Sequence, residues 1–327
     1  KAAEVISPLM LDCSLLRALT EDFPAETQLQ WNLGLPQAIS VSESQQLVDC
    51  PYQYALSSLL ALAPCDALEE SPQASDLGSL LHHVLKAAPA GFDSEARCAN
   101  WLHQQIDQSL EQPWRWGRPG ATLKLPLPKP IWAQLRAEAF AIVPNLARWL
   151  AGQPAADKAS DPSRLIQTEL PLSAQIPELG MTLKGRLDRL EVQRGVVMDF
   201  KTSDPKLLKK RLSPEGNELQ LQLYAWLLQA QQPPQPVSAA RFISIRREAV
   251  TEVELTPSEG DSIAQLGRQA LESVRSELNA IAGGAPVKAR GIDADAQVCQ
   301  YCAARGVCRR DDYSLDAARS ETATATD

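Results

Sequence analysis

Apolar and polar residues alternate with a period of two along "GRLDRLEVQRGVVMDFKTS" near the middle of the chain. This period is typical of β-strands, whose successive side chains point to opposite faces. A two-residue turn at Arg194 and Gly195 would join the strands, because glycine supplies the positive φ that such turns need. That turn places Asp188 opposite Lys201. The pattern therefore predicts a β-hairpin in which Asp188, Asp199 and Lys201 project from one face.

The rest of the pattern predicts helices around further strands. The predicted helices cover residues 40–62, 76–88, most of 95–150, 214–231 and 258–282, and the predicted strands cover 165–172, 241–247 and 251–255. The Trp-, Gly- and Pro-rich "QPWRWGRPGATLKLPLPKP" and the Pro-bounded "KTSDPKLLKKRLSP" are predicted as loops. This arrangement predicts an α/β fold, with a central mixed β-sheet flanked by helices and a helical region toward the N-terminus.

The composition is that of an ordinary soluble globular protein. Of 327 residues, 44% are hydrophobic and 22% are charged, which suits one elaborate domain or two. No apolar run is long enough to span a bilayer, and the N-terminus lacks the pattern of a signal peptide. We therefore expect a cytoplasmic protein without membrane contact. Because the chain begins at Lys1 rather than Met, we also expect it to be part of a longer polypeptide.

The charge is acidic overall but basic in one place. A formal net charge of −8 argues against a general nucleic-acid binder, because phosphate contacts come from clustered lysine and arginine. The predicted loop after the hairpin nevertheless brings together Lys206, Lys209, Lys210 and Arg211. Such a run is either a solvated loop or a local patch for phosphates.

The charged face of the hairpin has two interpretations. Aspartate and lysine often pair on exposed sheet surfaces, so it could be a surface hairpin. Alternatively, Asp188 and Asp199 bind a hard divalent cation such as Mg²⁺, which prefers carboxylate oxygens. A cation held there could activate water and stabilise charge on a phosphodiester. Lys201 could then orient the water or neutralise the phosphate.

Two predicted helices carry further candidates. In "DLGSLLHHVLKAA" the apolar residues keep helical spacing, and either His82 or His83 is a candidate ligand beside the carboxylates. In "ELQLQLYAWLL" Gln220 and Tyr224 are four residues apart and share one helical face. The alternatives are an ordinary core or surface histidine and an ordinary helix surface.

Four of the seven cysteines indicate a second site. Cys299, Cys302 and Cys308 form a C-x2-C-x5-C run, and Cys50 is the candidate fourth member. In a cytosolic protein this spacing indicates a metal rather than a disulfide. Four thiolates suit a zinc ion or an iron-sulfur cluster. For Cys50, an ordinary buried thiol is the alternative.

Seven motifs in one order give the chain a family resemblance. They are "SVSESQQLVDCPYQYAL", "GSLLHHVLK", "QTELPLSA", "KGRLDRLE", "MDFKTS", "LQLQLYAWLL" and the closing cysteine run. In order and character they resemble RecB-family nucleases of the PD-(D/E)XK superfamily, and in particular the AddB-type C-terminal nuclease domain. The resemblance covers about residues 40–310. Each motif alone is weak, but seven in order are specific.

The resemblance implies an active site for metal-dependent hydrolysis. Its catalytic residues would be His82, Glu169, Asp188, Asp199, Lys201, Gln220 and Tyr224. Its ligands for Mg²⁺ or Mn²⁺ would be His82, Asp188, Asp199 and the Phe200 carbonyl. Lys201 would position the attacking water. Family members often carry glutamate at the position of Asp199, which has a shorter reach.

The resemblance also assigns the cysteines and the basic run. Cys50, Cys299, Cys302 and Cys308 would bind a 4Fe-4S cluster that clamps the first helix to the C-terminal segment. Closing so long a loop would restrict the unfolded chain. Lys206, Lys209, Lys210 and Arg211 would contact DNA phosphates.

The implied domain organisation has three parts. Residues 1–38 would form an N-terminal segment of a longer parent chain. Residues 39–313 would form the nuclease domain with a restriction-endonuclease-like core, a helical insertion at about 90–160 and the iron-sulfur clamp. Residues 314–327 are expected to be a disordered tail.

The implied function is exonuclease-type cleavage of DNA in end processing and recombinational repair. The substrate would be single-stranded DNA or duplex ends. The partner would be a helicase subunit or a helicase-like region of the same chain. One alternative is a non-catalytic DNA-binding or scaffolding module of such a complex. Another is a nuclease of the CRISPR-adaptation type, which shares these motifs but is generally a compact stand-alone protein.

Overall fold

The computed structural model describes residues 28–29, 34–62, 72, 74–89, 91–111, 129–153, 166–213, 216–290, 299, 302 and 304–308. The predicted tail and most of the predicted N-terminal segment and Trp-rich loop lie outside these residues. The chain divides into two compact units. The cysteine unit comprises residues 1–35, 46–64 and 277–327, and the sheet unit comprises 36–45 and 65–276.

A run of helices precedes the longest strands in the described part of the chain. In chain order the elements are β1 (Gln28–Leu29), β2 (Ala38–Ser40), α1 (Val41–Asp49), α2 (Pro51–Tyr54), a π-helical turn (Ala55–Leu59), α3 (Ala74–Lys86), α4 (Glu95–Glu111), α5 (Lys129–Ala151), β3 (Ile166–Ile176), β4 (Met181–Glu191), β5 (Val196–Lys201), α6 (Pro205–Arg211), α7 (Gln220–Gln229), β6 (Ala239–Ile245), β7 (Val250–Glu254), α8 (Ile263–Ala282), β8 (Val287–Lys288) and α9 (Arg305–Cys308). Within the described residues, no helix combines the length and the apolar character that a bilayer crossing needs.

A mixed β-sheet lies at the centre of the sheet unit. Its strand order is β2-β4-β5-β6-β7, and β3 also pairs with β4. The pairs β2 with β4 and β5 with β6 are parallel, and the other pairs are antiparallel. Helices pack against this sheet, which confirms the predicted α/β fold with a mixed sheet flanked by helices.

The core of the sheet unit forms where β5 and β6 meet the helices α3, α4 and α5. The buried strand residues of this cluster are Val196, Met198, Phe200, Ala239, Ile243 and Ile245. Helix α7 packs against β3, β4, β5 and β6. Gly267 of α8 allows a close approach to α7, because a Cβ at this position would lie 2.9 Å from the Gln222 carbonyl oxygen.

The prediction of one continuous helix over residues 40–62 is wrong, because the helix is broken within this range. Ser40 begins α1 with a capping box, in which the Glu43 N–H donates to Ser40 Oγ and the Ser40 N–H donates to Glu43 Oε2. The break falls at Cys50, whose φ of −157° and ψ of 99° are extended. Pro51 explains the break, because proline disfavours helical backbone in the residue before it.

The predicted register of the hairpin is also wrong. Glu191 pairs with Val196, so four residues rather than two form the turn. Gly195 has a φ of 61°, and a Cβ there would lie 2.5 Å from the Pro236 carbonyl oxygen. The Arg194 guanidinium donates to Glu191 across the turn. The register therefore shifts by two residues, which keeps every side chain on its predicted face.

The basic segment after β5 is the helix α6, not the predicted loop. Asp204 caps it by accepting a hydrogen bond from the Lys206 N–H at 2.8 Å, and Pro205 occupies the first turn. Aspartate followed by proline is a helix-start signal. The sequence contains this helix-start signal, but the prolines at both ends of the segment favoured the prediction of a loop.

Candidate active site

Asp188 lies where β4 lacks strand partners on both edges. Strand β3 runs along one edge of β4. Strands β2 and β5 share the other edge, where β2 pairs with residues 182–184 and β5 pairs with residues 189–191. On the β3 side the ladder is interrupted at Glu169, which lies opposite Asp188 and has a φ of 50°. A left-handed backbone in a residue other than glycine is strained and is common at functional sites. The two carboxylates therefore face each other at a gap in the sheet.

Two contacts fix the Asp188 carboxylate. Its Oδ2 accepts a hydrogen bond from the Phe200 N–H at 2.8 Å, in the stretch where β4 and β5 no longer pair. Its Oδ1 lies 3.3 Å from His82 Nδ1. The side chain of Asp188 thus replaces a missing backbone partner for β5 and holds the histidine at the same time.

His82 comes to this position from α3. Its Nε2 lies 2.9 Å from the Phe200 carbonyl oxygen, so both ring nitrogens have a partner. The Phe200 ring meets the rings of His82 and Trp149 edge-on, with centroids 6.2 Å apart in each case. Burial lowers the pKa of His82. Asp188 raises this pKa through its hydrogen bond and its charge, Asp199 raises it through its charge, and together they outweigh the effect of burial. The net result is a raised pKa.

His82, Glu169 and Asp188 form a candidate metal site. One ligand atom from each lies within 4.8 Å of the other two, the one such group in the described part of the chain. All three residues were predicted from the sequence as site residues, but Glu169 was not predicted as a metal ligand. The two carboxylates supply the oxygen ligands that Mg²⁺ and Mn²⁺ prefer, and the imidazole nitrogen of His82 is a ligand that suits transition metals. The residues present therefore fit a divalent cation.

Asp199 is not in this group, because its carboxylate is directed at Lys201. The distance between Lys201 Nζ and Asp199 Oδ2 is 2.6 Å, and only 4% of the Asp199 side chain is exposed. Burial raises the pKa of Asp199, although Lys201 opposes this effect. Burial lowers the pKa of Lys201, but Asp199, Asp188 and Glu218 outweigh it and raise the pKa overall. The lysine is therefore held as an ammonium beside the candidate metal site.

Tyr224 is buried in the interior of the sheet unit and does not lie on a helix surface. Its hydroxyl donates a 2.8 Å hydrogen bond to the Arg186 carbonyl oxygen. Arg186 lies in the stretch of β4 between the residues that pair with β2 and those that pair with β5. Gly185 makes room for the ring, because a Cβ there would lie 2.8 Å from Tyr224 Cε1. Burial and the nearby charges of Asp199 and Asp188 raise the pKa of Tyr224. Tyr224 therefore holds the strand two residues before Asp188.

Gln220 begins α7, and its backbone N–H is bound by the Glu218 carboxylate. The structure shows no hydrogen bond from its side chain to the site residues described above. The loop before α7 is instead fixed by Gln45, which the sequence did not identify. The Gln45 amide donates to the Asn217 carbonyl oxygen at 2.6 Å and accepts from the Leu219 N–H at 2.7 Å.

The basic residues of α6 divide into two kinds. Lys206, Lys209 and Lys210 are exposed. Arg211 is partly buried, and its Nη2 lies 2.5 Å from Oε2 of the buried Glu218. Arg211 therefore ties α6 to the start of α7, and the three lysines form the exposed basic surface.

In the cysteine unit, Cys50, Cys299, Cys302 and Cys308 line one cavity. Cys50 and Cys299 are buried, and the other two are half-buried. Cys50 Sγ accepts a 3.4 Å hydrogen bond from the Arg290 N–H. Burial raises the pKa of Cys302, and the nearby Cys50 and Cys299 raise it further.

Comparison with known proteins identifies the family. The model of the PD-(D/E)XK nuclease superfamily matches residues 38–309. Uncharacterised proteins of Rickettsia typhi and Rickettsia conorii are 31% and 33% identical over 72 residues. That stretch is 22% of this chain but only 8% and 9% of those proteins. The crystal structure of SSO0001 aligns over 93% of this chain and 96% of its own, at 17% identity and a TM-score of 0.35, which is too low to support an argument.

The chain belongs to the PD-(D/E)XK nuclease superfamily. Membership implies a metal-dependent nuclease, and the cluster of His82, Glu169 and Asp188 is the place in the described structure where such a metal fits.

Proposed function

We propose that this protein is an Mg²⁺- or Mn²⁺-dependent deoxyribonuclease of the RecB family. The observation that carries the proposal is the convergence of His82, Glu169 and Asp188 in a chain that matches the nuclease superfamily. Lys201, which Asp199 fixes on the adjacent strand, offers an ammonium that can stabilise the charge of a reacting phosphodiester. Hydrolysis of a phosphodiester is the chemistry that these residues support, and the resemblance to RecB-family nucleases implies DNA ends as the substrate.

The residues have separate roles in the proposed reaction. His82, Glu169, Asp188 and the Phe200 carbonyl would hold the cation. A divalent cation supplies Lewis-acid chemistry that offsets charge on the phosphodiester. Lys201 is fixed by Asp199 and offers its ammonium to the attacking water or to a phosphate oxygen. Asp199 would thus act through Lys201.

Cleavage of end-labelled single-stranded DNA by the purified chain tests this function. Products should form with Mg²⁺ or Mn²⁺ and should be absent with EDTA. DNA binding without cleavage under any of these cations would reject the nuclease function and favour a non-catalytic DNA-binding module.

We also propose an AddB-type context, in which the nuclease acts with a helicase subunit or a helicase-like region in DNA end processing and recombinational repair. The motif order from the first helix to the closing cysteines supports this proposal. Stimulation of cleavage by ATP in a complex with the helicase would test it, and an unchanged rate would reject the coupling.

A 4Fe-4S cluster bound by Cys50, Cys299, Cys302 and Cys308 is the second part of the proposal. Their common cavity supports it. Protein purified without oxygen should be brown and contain about four iron and four sulfide per chain. Cys50→Ser and Cys302→Ser should lower the melting temperature equally, because each removes one anchor. Cys98→Ser is the control for cluster content, because Cys98 lies in a separate buried cluster and this variant should keep all its iron and sulfide. Stoichiometric zinc without iron would reject the cluster.

The exposed lysines of α6 are proposed to bind DNA phosphates. Replacing Lys206, Lys209 and Lys210 together with Ala should weaken DNA binding at every sequence. The slope of log affinity against log salt should fall by up to about 2, at about 0.7 for each lost contact with a single strand. Fluorescence anisotropy over a range of salt concentrations measures both quantities. An unchanged slope would show that the lysines form only a solvated surface. Arg211 is left intact because its partner is Glu218.

A further inference from the structure

Arg186 places a guanidinium beside the candidate metal ligands. Its Nη1 lies 3.6 Å from Glu169 Oε2, and 70% of its side chain is exposed, compared with 19% for Glu169. An ion pair with so exposed a partner contributes little to stability. The contribution of this ion pair to the stability of the fold therefore does not explain why Arg186 lies next to the acidic cluster.

The backbone of Arg186 is fixed although its side chain reaches solvent. The Tyr224 hydroxyl binds its carbonyl oxygen at 2.8 Å, and β3 pairs with it through Pro171. Arg186 also precedes Asp188 by two residues on β4. The guanidinium thus extends from a rigid point at the open side of the site.

Glu169 is shared between two positive groups. Its carboxylate belongs to the candidate metal site and also pairs with Arg186. A carboxylate that ligates a cation is a weaker partner for a guanidinium. Arg186 would then lack a strong anionic partner at the position where a phosphodiester must approach the ligands.

We infer that Arg186 binds a phosphate of the DNA strand next to the metal position, an inference that rests on the proposed nuclease function. A guanidinium matches phosphate with two parallel hydrogen bonds, which a lysine ammonium cannot reproduce. Together with Lys201 it would place positive charge on two sides of the phosphodiester. Arg186 is therefore a substrate-binding residue.

Binding of fluorescein-labelled oligothymidylate to the full chain tests this inference. The measurement uses Ca²⁺, with gel electrophoresis to verify that the oligonucleotide remains intact. Arg186→Ala should weaken binding by about ten- to a hundredfold, the effect of one lost charge-assisted contact. It should also lower the salt slope by about 0.7. Arg186→Lys should keep the slope and show intermediate affinity.

Lys184→Ala is the matched control, because Lys184 is exposed on the same strand, two residues from Arg186. It should bind DNA with the affinity and slope of the wild type. Equal effects of Lys184→Ala and Arg186→Ala would overturn the inference, since general charge would then explain both. An Arg186→Ala variant that binds DNA normally but has altered Mn²⁺ affinity would also overturn it, and would leave the nuclease function standing. A wild-type chain that binds no DNA would overturn both.

Discussion

Asp188→Asn is expected to reduce metal-dependent DNA cleavage by about a thousandfold or more. The substitution removes the anionic charge of a proposed metal ligand and of the partner of His82, which lies 3.3 Å away. Removal of one donor that stabilises developing charge already costs about a hundred- to a thousandfold in rate, and loss of a bound cation removes a larger charge. Initial rates on end-labelled DNA at saturating Mg²⁺ measure the loss.

The fold should survive this substitution. The amide oxygen of the new side chain can still accept the hydrogen bond from the Phe200 N–H that Asp188 now accepts at 2.8 Å. Asp107→Asn is the matched control, because it removes the same charge from a half-exposed pair with Arg136 on the surface. That variant should cleave DNA normally. A folded Asp188→Asn protein with wild-type activity would refute the assignment of Asp188 as a ligand.

Lys201→Met is expected to lower both activity and stability. It leaves the buried carboxylate of Asp199 without its partner at 2.6 Å. Removing one member of a buried ion pair costs about 3 to 5 kcal/mol of unfolding free energy. Denaturation in urea measures this loss. The double variant Asp199→Leu with Lys201→Met should recover most of the stability, because no unpaired buried charge remains. It should recover none of the activity, because the ammonium of Lys201 is still missing.

The stability loss in Lys201→Met should depend on pH. Burial already raises the pKa of Asp199, and removal of Lys201 takes away the main opposing effect. A carboxyl whose pKa is higher in the folded state stabilises the fold in acid, and this contribution is lost as the pH rises through the folded pKa. The difference from the wild type should therefore be small in acid and largest at neutral pH and above. A difference that does not change with pH would contradict the buried-pair interpretation.

The sequence predicted the charged strand face correctly for a physical reason. The alternation in β4 and β5 depends only on residue type, and a register shift of two residues leaves it unchanged. The length of the turn was not visible, because Gly195 is compatible with turns of two or four residues. The break at Cys50 was visible in principle, since Pro51 follows it.

The position of Glu169 could not be predicted from its local sequence. Its approach to Asp188 depends on the register between β3 and β4 and on a φ of 50°, and neither leaves a mark in the residue pattern. The same holds for Arg211, which looked like part of a basic run. Its contact with the buried Glu218 depends on how α6 and α7 pack.

The central claim is that His82, Glu169 and Asp188 hold the cation on which hydrolysis depends. Anomalous diffraction from crystals of the wild-type chain grown with Mn²⁺ tests it most directly. We predict a manganese peak within coordinating distance of all three side chains. A strong peak elsewhere, with none at these residues, would contradict the claim.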